Sequence, residues 1–374
     1  MIHTSSVFLP LIVVSKTFLL NRFGYIIFAG AFLLTGEISG QIGGTSTWNF
    51  LNLTSSARIG ALGGKNVALA DGDLNLAYFN PSLLTEDMHN NLALNYATLF
   101  SGVSYGYVAY ARTIPKTGTF AGGIHYINYG TFSAADETGQ ITGQFRAAEY
   151  ALYLTYSRTF DTCWNAGITI KPVYSSLERY QAFGLAADLG ASYTSPNRLF
   201  TVGLVFRNMG LQFKGYYTQS KEPLPFEILA GVAQKLQYAP FRFLITAQQL
   251  QRFDLTYKNP DDPSDIDPIT GKPVKKNRTE ELADQFMRHI ILGVEFVPSR
   301  SFYFRLGYNY QRRKEMMIDT RPGTVGFSWG FGLRINKFNI SYGRAAWHLA
   351  GGTNFFSLST NFSEFGFLDK SINQ

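Results

Sequence analysis

Thr324-Val325-Gly326-Phe327-Ser328-Trp329-Gly330-Phe331-Gly332-Leu333-Arg334-Ile335 alternates a large apolar residue with a small or polar one. Successive side chains of a strand point to opposite faces, so Val325, Phe327, Trp329, Phe331, Leu333 and Ile335 share one face. The other face carries glycines, Ser328 and Arg334. The same period recurs in Phe302, Phe304, Leu306, Tyr308 and Tyr310, and in Phe200, Val202, Leu204 and Phe206. Such segments run for about nine to twelve residues, the length a tilted strand needs to cross a bilayer. A soluble β-sandwich shows the same alternation. Against it, aromatics gather near segment ends, at Tyr126 and Tyr129, Tyr150 and Tyr156, and Tyr308 and Tyr310, like the interfacial girdles of membrane barrels. The glycines of the polar face suit a tightly filled lumen better than a solvated sheet.

Strands are expected to start near Leu92, Val103, Thr119, Arg146, Trp164, Ala182, Leu199, Phe226, Phe241, Met287, Phe302, Gly323, Lys337 and Phe355. That makes about fourteen, an even number, as single-chain bacterial barrels have. Connections alternate in length. Short ones fall at Pro115 to Gly118, Asp161-Thr162, Ser195 to Arg198, Tyr238 to Pro240, Pro298 to Arg300 and Asn336. Long ones fall at Gly130 to Phe145, Ser175 to Gln181, Asn208 to Pro225, Arg252 to Phe286, Arg312 to Pro322 and Arg344 to Asn354. A barrel with periplasmic turns and extracellular loops sorts its connections by parity, and a sandwich has no reason to. The fold class expected is all-β, a transmembrane antiparallel barrel of about fourteen strands spanning 91–362, with an N-terminal plug.

Composition agrees. Of 374 residues 16% are aromatic and 36 are glycine, a β-rich balance. The lone cysteine, Cys163, excludes an intramolecular disulfide and a multi-cysteine zinc site. Lys16 and Arg22 precede an apolar run from Phe23 to Leu34 and then Ser39-Gly40-Gln41, so residues 1–40 are expected to be a signal peptide. A retained helical anchor is the alternative, for which the run is short. No later segment approaches a membrane-spanning helix, so a fold that enters a membrane has to close its sheet. Residues 41–90 are expected to form the plug. They are rich in small residues, and Asn80-Pro81 specifies a turn because proline fixes its own φ and restricts the residue before it. With the tail 363–374, both termini are placed in the periplasm of an outer-membrane protein.

Chemistry-bearing clusters are few. Asp261, Asp262, Asp265 and Asp267 lack the regular ligand spacing of a calcium loop, and Lys275, Lys276 and Arg278 neutralise them, so no metal is expected. Asp71 and Asp73 sit beside Gly72, where aspartates cap backbone amides more often than they act as an acid-base pair. No histidine stands in a nucleophile setting, and no glycine loop cradles phosphate, so neither catalytic residues nor a cofactor are expected. Arg312, Arg313 and Lys314 form the sharpest basic cluster within a net charge of +7. At an outer loop they suit lipopolysaccharide phosphates, or are a solvated surface; nucleic acid is not an expected partner. Glu149, Asp188, Arg207, Arg242, Glu295, Arg305 and Arg334 share the small-residue face and are expected to pair within the lumen and with the plug.

Two resemblances add to this. Ser56-Ala57-Arg58, Ala68 to Asp73 and Asn80-Pro81-Ser82 resemble the hatch of FadL-type long-chain fatty-acid channels. Over Gly44 to Thr360, several strings look like the PorQ family, outer-membrane barrels of the type IX secretion system. They are Asp136-Glu137-Thr138-Gly139, Ser175-Ser176-Leu177-Glu178, Gly184-Leu185-Ala186-Ala187-Asp188-Leu189-Gly190, Glu222-Pro223-Leu224-Pro225-Phe226-Glu227, Arg288-His289, Tyr308-Asn309-Tyr310-Gln311-Arg312-Arg313 and Phe327-Ser328-Trp329-Gly330-Phe331-Gly332. The resemblance implies a non-enzymatic member of a surface attachment complex with PorU-, PorV- and PorZ-like partners, holding them while cargo is joined to lipopolysaccharide. Trp347 and the Arg312 cluster are the expected contact residues, since aromatic and arginine side chains dominate interface energetics. Asp71, Asp73, Asn80 and Pro81 are the plug signature, and Asn80-Pro81 is expected to be a hinge held shut. The alternative is a transporter of hydrophobic small molecules.

Overall fold

The computed structural model describes residues 46–99, 102–217, 221–256, 278–299, 301–317, 323–348 and 351–366. The expected signal segment, the acidic run at Asp261 to Asp267, Lys275 and Lys276, and the tail from 367 onward lie outside the described residues. Fourteen antiparallel strands close into one barrel, each bonded to its sequence neighbours and the first to the last. They are β1 Asn91–Thr98, β2 Ser104–Ile114, β3 Gly118–Ala135, β4 Ile141–Thr159, β5 Trp164–Leu177, β6 Tyr180–Thr194 and β7 Phe200–Lys214. The second half comprises β8 Glu227–Lys235, β9 Phe241–Ala247, β10 Ile290–Phe296, β11 Phe302–Asn309, β12 Phe327–Ile335, β13 Phe338–His348 and β14 Gly351–Asn361.

The period-two pattern sets the faces. Phe327, Trp329, Phe331, Leu333 and Ile335 are exposed on the outside of β12, while Ser328 is buried inside. A single slip of register would reverse every one of these, so the apolar outer face fixes the pairing. Aromatic pairs ring the end with the short turns: Phe120 with Tyr156, Trp164 with Tyr193, and Phe241 with Phe296, at centroid distances of 4.9, 5.1 and 5.0 Å. Toward the other end stand Phe132 with Phe145, Phe183 with Phe213, and Tyr308 with Phe327. The two-residue turn between β12 and β13 places Asn336 at a φ of 56°, one that asparagine tolerates better than most residues.

Several boundaries differ from expectation. Gly130 to Phe145, Ser175 to Gln181 and Arg344 to Asn354 are mostly strand. β3 pairs with β4 out to Ala135 and Ile141, leaving only a five-residue turn at 136–140 that is closed by the Asp136 side chain. Turn residues inside a longer sequence segment had the look of loop, but the ladder continues on both sides of them. β12 begins at Phe327 instead of Gly323, and Val325 is buried in the preceding turn. β11 stops at Asn309, whose side-chain oxygen accepts from Arg312 N and starts a helix, so Tyr310 and Gln311 leave the strand. Tyr129 turns inward to Glu149 and Tyr310 packs on an outer helix, so neither belongs to a girdle.

Residues 46–90 lie inside the barrel as short helical turns, with Leu51, Ile59, Val67, Leu76 and Phe79 fully buried. The inward glycines of the strands make room for them. A Cβ on Gly167 would stand 2.6 Å from the Pro81 carbonyl, and one on Gly343 2.5 Å from the Ala57 carbonyl oxygen. Gly203 faces the Val67 carbonyl still more closely. Replacing Gly203 with valine is therefore expected to unseat the plug at a cost of about 1–3 kcal/mol. The check is the rate of protease cleavage within residues 46–90 of the folded barrel. Gly122, on the outer face with nothing near a built Cβ, is the control and should tolerate valine without change. Equal cleavage rates for both variants would disprove the close fit.

Candidate functional site

The plug is fixed by charge at the short-turn end. Helix α1, Ala57–Ala61, starts where the Ser56 side chain accepts from Ile59 N. Its small residues let it lie against β12, β13 and β14, with Gly60 on the Phe355 ring and Ala61 against Gly330. This seating aims Arg58 across the lumen. Its Nε and Nη2 donate to the two carboxylate oxygens of Glu295 on β10 at 2.8 and 2.9 Å. Its Nη1 and Nη2 also reach the two oxygens of Asp71 at 2.9 and 2.6 Å, and Nη1 reaches Asp73 at 3.2 Å. Arg242 on β9 bridges Asp71 and Glu295 at 2.6 and 2.9 Å, and Arg305 on β11 donates to Glu295 at 2.9 Å. Three arginines thus meet three carboxylates, and the cluster is neutral. Burial alone would raise the Asp71 carboxyl, but the Arg58 and Arg242 guanidiniums hold it far below the usual carboxylate range.

Asp73 also caps the helical turn at Leu74–Tyr78 through Asn75 N. Both aspartates are therefore bound in a structural lock. A polar cup of about 300 Å³ opens beside it, lined by Arg58, Asp71, Arg305, Arg334 and Lys337 among others.

Asn80 and Pro81 are buried in the lumen against β5, β6 and β7. Asn80 Nδ2 donates to Val67 O at 2.8 Å, and its Oδ1 accepts from Ser82 N and Oγ. Gly190 and Gly203 press against the same side chain. The turn is clamped from both the plug and the barrel.

Further pairs hold the rest of the plug. Lys65 Nζ is 2.5 Å from Glu227 on β8. Asp188 on β6 takes Lys171 at 2.5 Å and Arg207 at 3.9 Å, while Arg207 donates to Leu51 O and stacks over Phe79. Sequence reasoning placed these charges in the lumen correctly for Asp188, Arg207, Arg242, Glu295 and Arg305. Glu149 differs, accepting from Tyr129, Ser175 and Tyr216 hydroxyls. Arg334 pairs with Glu364 near the short-turn rim. Lys65, His125 and the tyrosines packed around Tyr78 were missed. Lys65 and Tyr78 lie in the plug, which has no period, and the inward positions of Tyr107, His125 and Tyr153 on β2 to β4 carry no charge pattern to mark them.

At the opposite end two helices cover the rim, α2 Arg278–Arg288 and α3 Tyr310–Met316. Asp284 joins them, accepting from Tyr310 Oη at 2.7 Å and Arg288 Nε at 2.7 Å, with Lys314 Nζ at 3.5 Å. Leu282 and Phe286 are exposed on α2, Phe286 at 65%. The expected contact cluster does not form one outward patch. Arg312 turns inward, stacks on Trp347 at 4.2 Å and donates to Gly63 O of the plug. Trp347 packs against the core. Arg313 donates to the carbonyls of Gly323 and Val325, and Lys314 remains largely exposed. Inward turning follows from the Asn309 cap, which rotates the residues after β11 over the lumen.

No family model and no curated protein matches the chain by sequence. Among solved structures it is similar to the Pseudomonas putida toluene transporter TodX, with 11% identity, a TM-score of 0.50, and 82% of this chain and 96% of that one covered. The likeness is one of fold, a closed antiparallel β-barrel. A deltaS2 mutant of the TodX monoaromatic hydrocarbon channel matches at 12% identity, TM-score 0.50, covering 82% of this chain and 97% of that one. A Pseudomonas aeruginosa FadL homologue aligns at 12% identity and TM-score 0.45 over 83% and 98% of the two chains.

Removing one charge from the lock leaves the others buried and uncompensated, which costs about 3–5 kcal/mol. Glu295→Gln is expected to show that loss, read as accelerated hydrogen exchange through residues 46–90. Asp73→Asn, at the longest and partly exposed contact, should cost at most about 1 kcal/mol. The pH dependence has a definite sign. The folded Asp71 value lies below its ordinary 3.8, so its contribution is complete above that value and is lost as pH falls through the lower folded one. Exchange protection of the plug should stay level from neutral pH down to about pH 4 and decline only below it. A decline centred near pH 6 would assign the lock to another group.

Proposed function

We propose that this chain is a sealed outer-membrane barrel that performs no catalysis and anchors partner proteins at the cell surface. Its place would be that of the PorQ-type component of a type IX attachment complex, with PorU-, PorV- and PorZ-like partners. The observation that carries this is the neutral cluster of Arg58, Asp71, Asp73, Arg242, Glu295 and Arg305, which fastens the plug to the barrel wall. A gate has to release its contacts at low cost, and a buried network of this size releases at high cost. In this reading the short-turn end and both termini face the periplasm. The β3–β4 arm and the helices α2 and α3 face out, and Lys314 with the exposed Leu282 and Phe286 makes the surface for a partner and for lipopolysaccharide phosphates.

A second reading is a conduit for apolar small molecules, supported by the likeness to a toluene transporter. The two readings differ in what crosses the barrel. Affinity purification from outer membranes is expected to retain partner proteins, and Leu282→Ser with Phe286→Ser is expected to release them while the barrel stays folded. Purified barrel in liposomes should pass neither small polar solutes nor monoaromatic hydrocarbons. Hydrocarbon flux without retained partners would replace the anchor with the conduit.

A further inference from the structure

Above the plug, at the end of the lumen covered by α3, four polar groups from four elements meet. Among the described residues, Arg312 Nη1, Trp347 Nε1, Tyr105 Oη and Thr353 Oγ1 are each shielded from solvent and find no acceptor, apart from the contact between the Tyr105 and Thr353 hydroxyls. Their closeness is fixed by the fold. The Arg312 guanidinium stacks on the Trp347 ring at 4.2 Å. Trp347 lies on the inward side of β13, where Ala345 pairs with Thr353 of β14. Tyr105 on β2 faces Ala97 on β1, which in turn faces Phe355, two residues along from Thr353. Tyr105 and Thr353 are both fully buried, and Tyr105 lies close enough to Arg312 and Thr353 to interact with each.

The chemistry of the four is one-sided. A guanidinium and an indole N–H only donate, and both hydroxyls are able to donate. Every other inward-facing arginine of the lumen described above has a carboxylate partner. Arg312 has none among the described residues, and its protein acceptor is the Gly63 carbonyl at 3.3 Å. Burial without a counter-charge pulls this guanidinium down to about 10. Leaving such a cation unpaired is costly, and a tryptophan ring face offsets only part of that cost. A neutral acceptor would satisfy the donors and leave the charge uncompensated, whereas an anion does both.

We propose that Arg312 Nη1, Trp347 Nε1, Tyr105 Oη and Thr353 Oγ1 form the binding site of a small monovalent anion, a halide or a simple carboxylate. The anion ties α3, β2, β13 and β14 to the Gly63 turn of the plug. It closes the lumen at the end opposite the Glu295 lock, and does so under either reading of the barrel's function.

Crystals of the full chain grown in sodium bromide test this directly. The expected result is an anomalous bromide peak within hydrogen-bonding distance of Arg312 Nη1 and Trp347 Nε1. Crystals grown in formate should show planar density in its place if a carboxylate is accepted, and halide alone if it is not. An ordered water with no bromide signal, or a carboxylate side chain of this chain paired with Arg312, overturns the site. Trp347→Phe keeps the ring under Arg312 and removes only the N–H. It should weaken bromide binding about tenfold, followed by the rise in thermal midpoint with bromide concentration. An unchanged bromide dependence in that variant would also count against the proposal.

Discussion

Glu295 is the contact on which the interior depends. It is a fully buried carboxylate on a strand of the barrel wall, and such a group is tolerable only if cations surround it. Two of those cations, Arg242 and Arg305, come from the neighbouring strands, and their register with β10 is set by the ladder itself: Glu295 lies opposite both. The third, Arg58, comes from the plug. The wall therefore presents one carboxylate and two arginines, an excess of one positive charge. The plug supplies Arg58 with Asp71 and Asp73, an excess of one negative charge. Neither half is balanced alone, and the two balance together.

The glycines complete what the charges begin. Charge attraction fixes which end of the plug meets which wall, but short contacts need backbone to approach backbone. Along the strands, inward glycines stand opposite plug carbonyls and small side chains at Gly167, Gly203, Gly307 and Gly343. Each absent side chain widens the lumen locally, and each plug turn fills the space. The barrel is thus shaped by its plug as much as by its strand number.

This division explains what the sequence shows and what it hides. Period-two alternation marks β12 and β7 plainly, because their outer residues face an apolar surroundings and their inner ones a packed, polar lumen. The parity of connection length is legible in part: the connections after β7, β9 and β11 are long, while those after β3, β5 and β13 are as short as the turns of the opposite end. Strand extent is less legible. At Asp136-Glu137-Thr138-Gly139 the residues are those of a turn, and nothing local tells that the ladder continues nearly to it on both sides. Side-chain direction after a strand is hidden as well. Arg312, Arg313 and Lys314 read as one basic patch, but the Asn309 cap winds them into a helix and sends the three to different surroundings. Of the lumen lock, the wall members were visible as charges on the small-residue face. The role of Arg58 was not, because one arginine among small plug residues has no period to assign it a direction.

The wall is also uneven in height, and the helices answer that. β3 to β7 run for 14 to 19 residues, while β8 to β12 run for 7 to 9. With a rise of about 3.4 Å per residue and a tilt of about 40°, the shorter strands span roughly 20 Å, less than the apolar band of about 25 Å that such barrels present. On that low side the connections carry α2 and α3, which meet at Asp284 above the short strands. Asp284 is held below the usual carboxylate range despite burial, by the Tyr310 hydroxyl and Arg288, so the joint between the helices stays charged and intact at neutral pH. On the tall side paired strands extend further and carry the stacked pairs Phe132 with Phe145 and Phe183 with Phe213. The helices in the connections after β9 and β11 also bring Arg312 over the lumen.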